Sequence, residues 1–583
     1  MDAGFHAEVT AHDAAVARCD VDLWIGAEPT FTDRRSQEPW WLWTAEGGDK
    51  EERARALLEA LAPRLPAPVH LLRARGRHYP GEAAPRFCLG ALHARRRGAR
   101  ADGAPEAPPG WPADPLTGEP LPPPSPGPDE AWLTVTPDPA VVEVNLAPAH
   151  DLATFAAWCE ALYGAADEVG LAPLRYRYNG DVTDSGGGGQ LTLGGPTAEG
   201  SPFFRRPQLL PRLLRYLNRH PSLSYAFAPE CVGSAGQGPR ADEGVRERFE
   251  ELPVALEQLS ARGDQATPEE LWSALAPLLV DSAGNSHRAE VNVEKLWNPW
   301  LEERGRLGLV ELRALRMPAT PERLVAIAAL FRAVAARLAV SRYEEPLVDW
   351  GAQLHARFGL PWFQRRDLER VLDDLDAHGL GPGPLLRAEL LRGPEPIATV
   401  ALGGAVLEIA PALAFWPLLG DVASQERSGA RLVDASSARV QLSVTPPAGE
   451  DPGHVAAASW RVPLHDGGGG ARIGSVLYRT FTPRPGLHPS LAPEDPLVVD
   501  WERNGRRVRV ALHAWNPAGG AYDGLPADAA EARRRRRERA FVSTPAQPVA
   551  PRASGAAGLL LDVRGAGAPG LRPAVAPGEE VPP

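Results

Sequence analysis

The chain has 583 residues, 44% hydrophobic and 23% charged, with a formal net charge of −12 and a pI near 5.7. That length exceeds what one hydrophobic core serves, so two or more domains are expected, and the composition is that of a soluble globular protein. The acidic balance argues against a dedicated nucleic-acid or anionic-membrane surface; four widely spaced cysteines (Cys19, Cys88, Cys159, Cys231) with no CxxC give neither a disulfide framework nor a zinc cage and suit a reducing cytoplasm.

The first twenty residues carry acidic groups and no apolar core, so no signal peptide is read there. The segment "DLWIGAEPTF" (22–31) reads as the strand that opens the folded part. A helix is expected over 50–63 and a strand over 68–75. Residues 98–130 are rich in Pro and Gly and read as a linker between an N-terminal part, 1–97, and a main part, 131–395. In the main part "VVEVNL" (141–146) predicts a strand, 151–169 a helix and "LRYRYN" (174–179) a strand. The glycine run "DSGGGGQLTLGG" (184–195) precedes helices near 207–219, 243–263 and 268–279. Strands are expected at 286–296 and 308–315, then helices at 320–340, 343–356 and 365–378. From 396 to 542 short alternating runs with turn residues predict a β-rich domain ending in a helix over 528–541. The tail, 543–583, is Pro/Ala/Gly-rich and expected to be disordered. The apolar stretch 397–420 contains Glu408, two prolines and a Gly403–Gly404 break, which predicts a hairpin rather than a membrane span.

Three of these strands share an unusual polar face. In "VVEVNL", Val142, Val144 and Leu146 alternate against Glu143 and Asn145. "NSHRAEVNVEKLW" (285–297) sets Ala289, Val291 and Val293 against Arg288, Glu290, Asn292 and Glu294, and "GLVELRALRMP" (308–318) sets Val310, Leu312 and Ala314 against Glu311 and Arg313. Residues i and i+2 lie about 7 Å apart on one face. A solvated sheet explains any one strand. Across three strands, a set of only carboxylate, amide and guanidinium suggests a surface for Mg²⁺, which takes oxygen ligands, and for phosphate, which Arg grips bidentately. The run "SGGGGQ" offers either backbone N–H groups to an anion or a flexible hairpin tip; it is neither a Walker A loop nor a dinucleotide fingerprint. Glu28 ends a strand before Pro29. The only lysines are Lys50 and Lys295, so Lys295 marks either a place that needs an amine or a chance survivor in an arginine-biased chain. His287 could meet metal or substrate, or be structural. No cysteine has a motif with assignable His and Asp partners, which leaves a cysteine transglutaminase or protease poorly supported.

The motifs "GAEPTF", "YPGE-x-x-PR", "VTPDPAVVEVN", "GGGG-x-L-x-LGG", "SPFFRRPQLL", "HPSLSY", "AGNSHRAEVNVEKL", "GLVELRALRMP", "VDASSARVQLSV" and "GLHPS" occur in family order. Together they resemble the amidoligase family usually found behind a transglutaminase-like domain, over most of residues 22–541. The resemblance implies an α+β fold: a glutamine synthetase-like curved antiparallel sheet with helices on one face, plus the C-terminal β-rich domain. It also implies ATP- and Mg²⁺-dependent activation of a small-molecule or peptide carboxylate to an acyl phosphate, followed by amine attack to give an amide. Carried over by motif, Glu28, Glu143, Glu290 and Glu311 are metal-site carboxylates, and Arg288 and Arg313 clamp phosphate or carboxylate. Lys295, His287 and Asn145 are polar supports, and Gly186, Gly187 and Gly188 line the nucleotide. The chain departs from the family pattern at Gln190, where a His is usual, and at Arg316, where a Glu is usual. The transglutaminase-like domain is not in this sequence, so the resemblance implies a separate partner for that activity. The alternative is a binding partner that keeps the nucleotide or peptide surface with reduced catalysis.

Overall fold

The folded part begins with a helix rather than a strand. Asp2 caps it, its carboxylate accepting from the Phe5 N–H at 2.8 Å, and Phe5, Val9, His12 and Val16 form a buried stripe at helical spacing along Ala3–Ala17. The computed structural model describes residues 1–33, 48–65, 69–76, 87–95, 130–138, 141–146, 148–185, 188–234, 236–300, 305–416, 433–481, 492–545, 551–553, 558–565 and 574–575. The expected linker at 98–130 lies outside them, except for residue 130. The whole is a mixed α/β structure with several antiparallel sheets.

One antiparallel sheet has the order Trp24–Glu28, Gln190–Gly194, Val310–Leu312, Val291–Asn292. Pro29 interrupts the first strand, because a proline has no N–H to give to a ladder. Beyond it Thr30–Asp33 joins a six-stranded sheet next to Val141–Asn145. Bonds from Val144 N–H to Pro29 O (2.8 Å) and from Leu146 N–H to Ala27 O (2.9 Å) carry the pairing through the proline, so the two sheets share one surface.

The other side of that surface is packed by helices. Leu152–Glu168 is capped by Asp151, and Pro321–Val340, Ala-rich with Pro at its first position, is buried over almost its full length. Arg332 in the second helix ties three elements together. It donates to Leu23 O at 3.1 Å and to His150 O at 2.8 Å, and it pairs with Asp13, whose carboxylate also accepts from the Leu152 N–H.

A second core forms the C-terminal part. A seven-stranded sheet built on Ala405–Ala412, Ser437–Thr445 and Ala471–Arg479 faces a five-stranded sheet built on Leu497–Arg503 and Arg506–Leu512. Leu407, Leu442, Val476, Val499, Trp501 and Val510 fill the space between them. The Ala398–Leu402 and Ala405–Ala412 hairpin turns at Gly403–Gly404 as expected. Arg439 is fully enclosed and bonds the carbonyls of His355 and Ala356 and the Ser475 hydroxyl, joining this sheet to the helical layer; burial pushes its pKa down to about 9.

Three further expectations are corrected. Residues 286–296 are not one strand. A 3₁₀ turn (Ser286–Arg288) leads to the two-residue strand Val291–Asn292, and the Asn292 side chain then accepts from the Glu294 N–H at 2.6 Å and starts the helical turn Glu294–Trp297. Residues 341–350 are not helical; the helices are Gln353–Phe358 and Pro361–Ala377. The tail is not uniformly disordered: Leu560–Asp562 pairs in parallel with Ala471–Arg479 and buries Leu561 and Val563, because "LLLDV" is apolar enough to close that edge. No helix among the described residues is long and apolar enough to cross a membrane.

His12 yields a test of this packing. Burial, reinforced by the nearby Arg332 charge, holds its imidazole down at about 3, against 6.5 for the free side chain. The unfolded chain therefore binds the extra proton across that window. His12 contributes no penalty above pH 6.5, and stability is lost as pH falls below it, at up to about 1.4 kcal/mol per pH unit. In urea denaturation at pH 7.5 and pH 5.5, His12→Met should reduce the stability difference between the two conditions by about 1 kcal/mol.

Candidate active site

The register of the joined sheets brings the polar residues into rows. Glu28 stands opposite Gln190, Thr192 opposite Glu311, and Asn292 opposite Glu311 on its other side. Continuing each ladder by one residue sets Gln190 beside Arg313 and Arg313 beside Glu290; the Arg313 N–H donates to Glu290 O at 2.8 Å. On the far side, the pairing of Thr30 with Glu143 puts Asn145 next to Glu28. Directly paired residues of antiparallel strands point to the same face. One row therefore reads Asn145, Glu28, Gln190, Arg313, Glu290, and the next carries Thr192, Glu311 and Asn292. The opposite face carries Ala27, Leu191, Leu312 and Val291, all in the main core.

Cations lie across these rows. The turn Glu294–Trp297 brings Lys295 over the sheet, with its ammonium 3.2 Å from Glu28 Oε1 and 3.7 Å from Glu311 Oε2. Arg313 bonds the other Glu311 oxygen. Burial raises the Glu311 pKa and the neighbouring Glu28 charge raises it further, while Lys295 and Arg313 oppose both effects. Lys295 in turn has its pKa raised, chiefly by Glu28. Between the charges sits Gln190, only 4% exposed, whose Oε1 has no hydrogen-bond partner among the described residues; nor has the buried Nε of Arg313. Buried polar atoms are seldom left without a partner, and here two lie within one row beside the charged groups.

The remaining candidates divide. Arg288 lies close enough to Arg313 that burial and that like charge both lower its pKa, and it donates to Gly236 O at 2.9 Å. Glu143 is one step along the strands from the row, accepting from Asn145 Nδ2 at 3.1 Å. His287 is exposed and pairs with Glu294 at 3.1 Å rather than with the rows. Gly186 and Gly187 lie outside the described residues. Gly188 and Gly189 have φ of +77° and +80°, and a Cβ there would come within 2.3 Å of Thr30 and 2.4 Å of the Arg316 backbone, so close packing already requires glycine at both.

Glu290 belongs to the row by register but is drawn to a partner that sequence reasoning missed. Arg240 is fully buried, bidentate to Asp242 at 2.9 Å, bonded to Leu217 O, Asn218 O and Ser224 Oγ, and 3.4 Å from Glu290. Burial raises the Glu290 pKa. Nothing in the irregular "GQGPRADEG" signals such a role, because no periodicity operates there.

A family model described as Putative amidoligase enzyme (DUF2126) matches residues 6–105 and 115–564. The chain belongs to this family. No curated protein matches it. Every residue of the two rows, and Lys295 above them, falls within the span matched by this amidoligase model.

Among the described residues of this amidoligase-family chain, no three His, Cys, Asp or Glu side chains are grouped to hold a metal. Glu28 and Glu311 with Gln190 Oε1 form an all-oxygen set. Mg²⁺ takes one or two carboxylates and completes its shell with waters and substrate phosphates, so this set fits it in kind. Glu290, engaged by Arg240, and Glu143, outside the row, are set apart from it.

Removing Arg240 should expose its structural weight. Arg240→Met leaves Glu290 and Asp242 buried without their cation, and urea denaturation should show a loss of about 3–5 kcal/mol. Adding Glu290→Gln should restore part of that loss.

Proposed function

We propose that this chain joins a carboxylate to an amine at the face carrying Glu28, Gln190, Arg313 and Glu311, in an ATP- and Mg²⁺-dependent reaction on small-molecule or peptide substrates. The observation that carries the reading is the convergence, within an amidoligase-family match, of side chains from separate strands on one largely dry polar face that retains two buried, unpartnered polar atoms. The glutamine synthetase-like relationship implied by the sequence motifs is part of the same proposal. ATP would supply the phosphoryl group that activates the acid, and Mg²⁺ the charge that offsets the phosphates. The protein's own contribution is positional. Arg313 and Arg288 are neighbouring guanidiniums whose mutual repulsion an anion would relieve, which suits them to a phosphate or carboxylate oxygen. Gln190 Oε1 and the two carboxylates provide oxygen donors. Helix packing on the other face fixes the strands, so these groups need little reorganisation.

A second reading has its own support: a nucleotide- or peptide-binding partner of a separate transglutaminase-like protein, with reduced catalysis. Gln190 stands where the resemblance implies a histidine, and Lys295 already bridges the two carboxylates.

ADP release in the presence of Mg²⁺, screened against mixtures of acids and amines, separates the two. The ligase reading expects turnover that needs both an acid and an amine and falls at least a hundredfold in Glu311→Gln, the scale of losing one preorganised electrostatic contact. Nucleotide binding by calorimetry without acid- or amine-dependent turnover would favour the binding partner. In either case Arg313→Lys, which loses the planar fork, should weaken nucleotide binding by about tenfold.

A further inference from the structure

Lys295 occupies the position between Glu28 and Glu311 that a divalent ion shared by the two carboxylates would need. We propose that the Lys295 ammonium and a divalent cation are alternative occupants of this carboxylate pair, so that the lysine sets the metal concentration at which the site loads. The inference rests on the reading above that these oxygens take Mg²⁺.

Four observations lead there. The ammonium contacts one oxygen of each carboxylate, at 3.2 Å and 3.7 Å, so both charges are already answered by a single positive centre. Gln190 Oε1, buried and without a partner among the described residues, lies in the same cross-strand row directly opposite Glu28. An ammonium has three donors, yet this acceptor stays unused, whereas a metal accepts any oxygen within reach. Lys295 also has a way out. Its side chain is 41% exposed, while that of Arg313, bound to the far oxygen of Glu311, is 17% exposed. Finally, the residue type fits. In a chain with 62 basic residues Lys295 is one of only two lysines. An arginine here would grip a carboxylate with a rigid fork, but an ammonium on a four-carbon stem is compact, strongly hydrated and readily released.

The two occupants exclude each other by like charge. The apparent metal affinity is then the intrinsic affinity reduced by the fraction of time the lysine is withdrawn. Without metal, the lysine, with Arg313 on Glu311, keeps the buried Glu311 and the partly buried Glu28 compensated, which lets the sheet fold before any ion binds.

The test uses Mn²⁺ alone, titrated into the full chain without nucleotide, with bound and free ion separated by electron paramagnetic resonance. Lys295→Met should bind Mn²⁺ at least tenfold more tightly than the native chain, and Lys295→Arg more weakly. Glu28→Gln added to Lys295→Met should abolish the gain. Lys295→Gln, which keeps a polar end, should give the same tightening and replaces methionine if that variant fails to fold. Equal or weaker binding in the neutral variants would overturn the proposal, and so would a gain that survives Glu28→Gln. Because no nucleotide or turnover enters the measurement, absence of ADP release would defeat the ligase reading and leave this result standing. Normal turnover with unchanged Mn²⁺ binding would defeat only the competition.

Discussion

Glu28 and Glu311 project from the same face of one sheet, with the strand that carries Gln190 between them, and little water reaches Glu311. Two carboxylates so placed raise each other's pKa unless cations stand close by. Much of the local architecture follows from that constraint. Asn292 starts the helical turn that carries Lys295 back across the sheet. Arg313 sits two residues beyond Glu311 on the same strand face and takes its second oxygen. Of the other neighbours, Gln190, Thr192, Asn145 and Asn292 are polar but uncharged, Glu290 is engaged by Arg240, and Arg288 lies near Arg313. Among Glu28, Glu311, Lys295 and Arg313 themselves, charge is matched by opposite charge.

The opposite face does a different job. Ala27, Leu191, Leu312 and Val291 are packed by a helical layer that begins with Ala3–Ala17 and runs through Pro321–Val340. Arg332 enters that apolar layer but finds carbonyls at Leu23 and His150 and the carboxylate of Asp13. A buried guanidinium is tolerated only when its donors are met in this way. In meeting them it ties the residue before the first strand to the helical layer, behind the strand that carries Glu28.

The sequence discloses the period-2 strands and through them the faces: Val142 and Val144 go to the core, while Glu143 and Asn145 are half-exposed. The sharing of one surface by Glu28, Gln190, Arg313 and Asn145 needs the register through Pro29, which only backbone bonds beyond the proline define. Alternation misleads at 286–296, because a strand pattern of this length also accommodates a capped turn once Asn292 bonds the Glu294 N–H. Glu290 shows another limit. Its place in the row follows from pairing, but its partner Arg240 comes from a loop with no repeat to extrapolate. The N-terminal stripe Phe5, Val9, His12, Val16 was present to be read; the interposed histidine masks it until burial is seen to keep that imidazole neutral.

Phosphate sites built from helix N-termini or lysine clusters attract anions by a net positive field. Here Lys295 and Arg313 are already paired with Glu28 and Glu311, so a polyphosphate arriving alone would meet those two carboxylates together with the cations. On the proposed exchange, an anion accompanied by its own divalent cation would meet a different surface: the cation would take the carboxylates, and the displaced ammonium would become available to the anion. The amide at Gln190 adds no charge in either state, and its oxygen is a donor of the kind a hard divalent cation takes. If Mg²⁺ is an occupant as proposed, this charge pattern would favour a metal–anion pair over either component alone, through side chains whose separate contacts would pass for ordinary ion pairs.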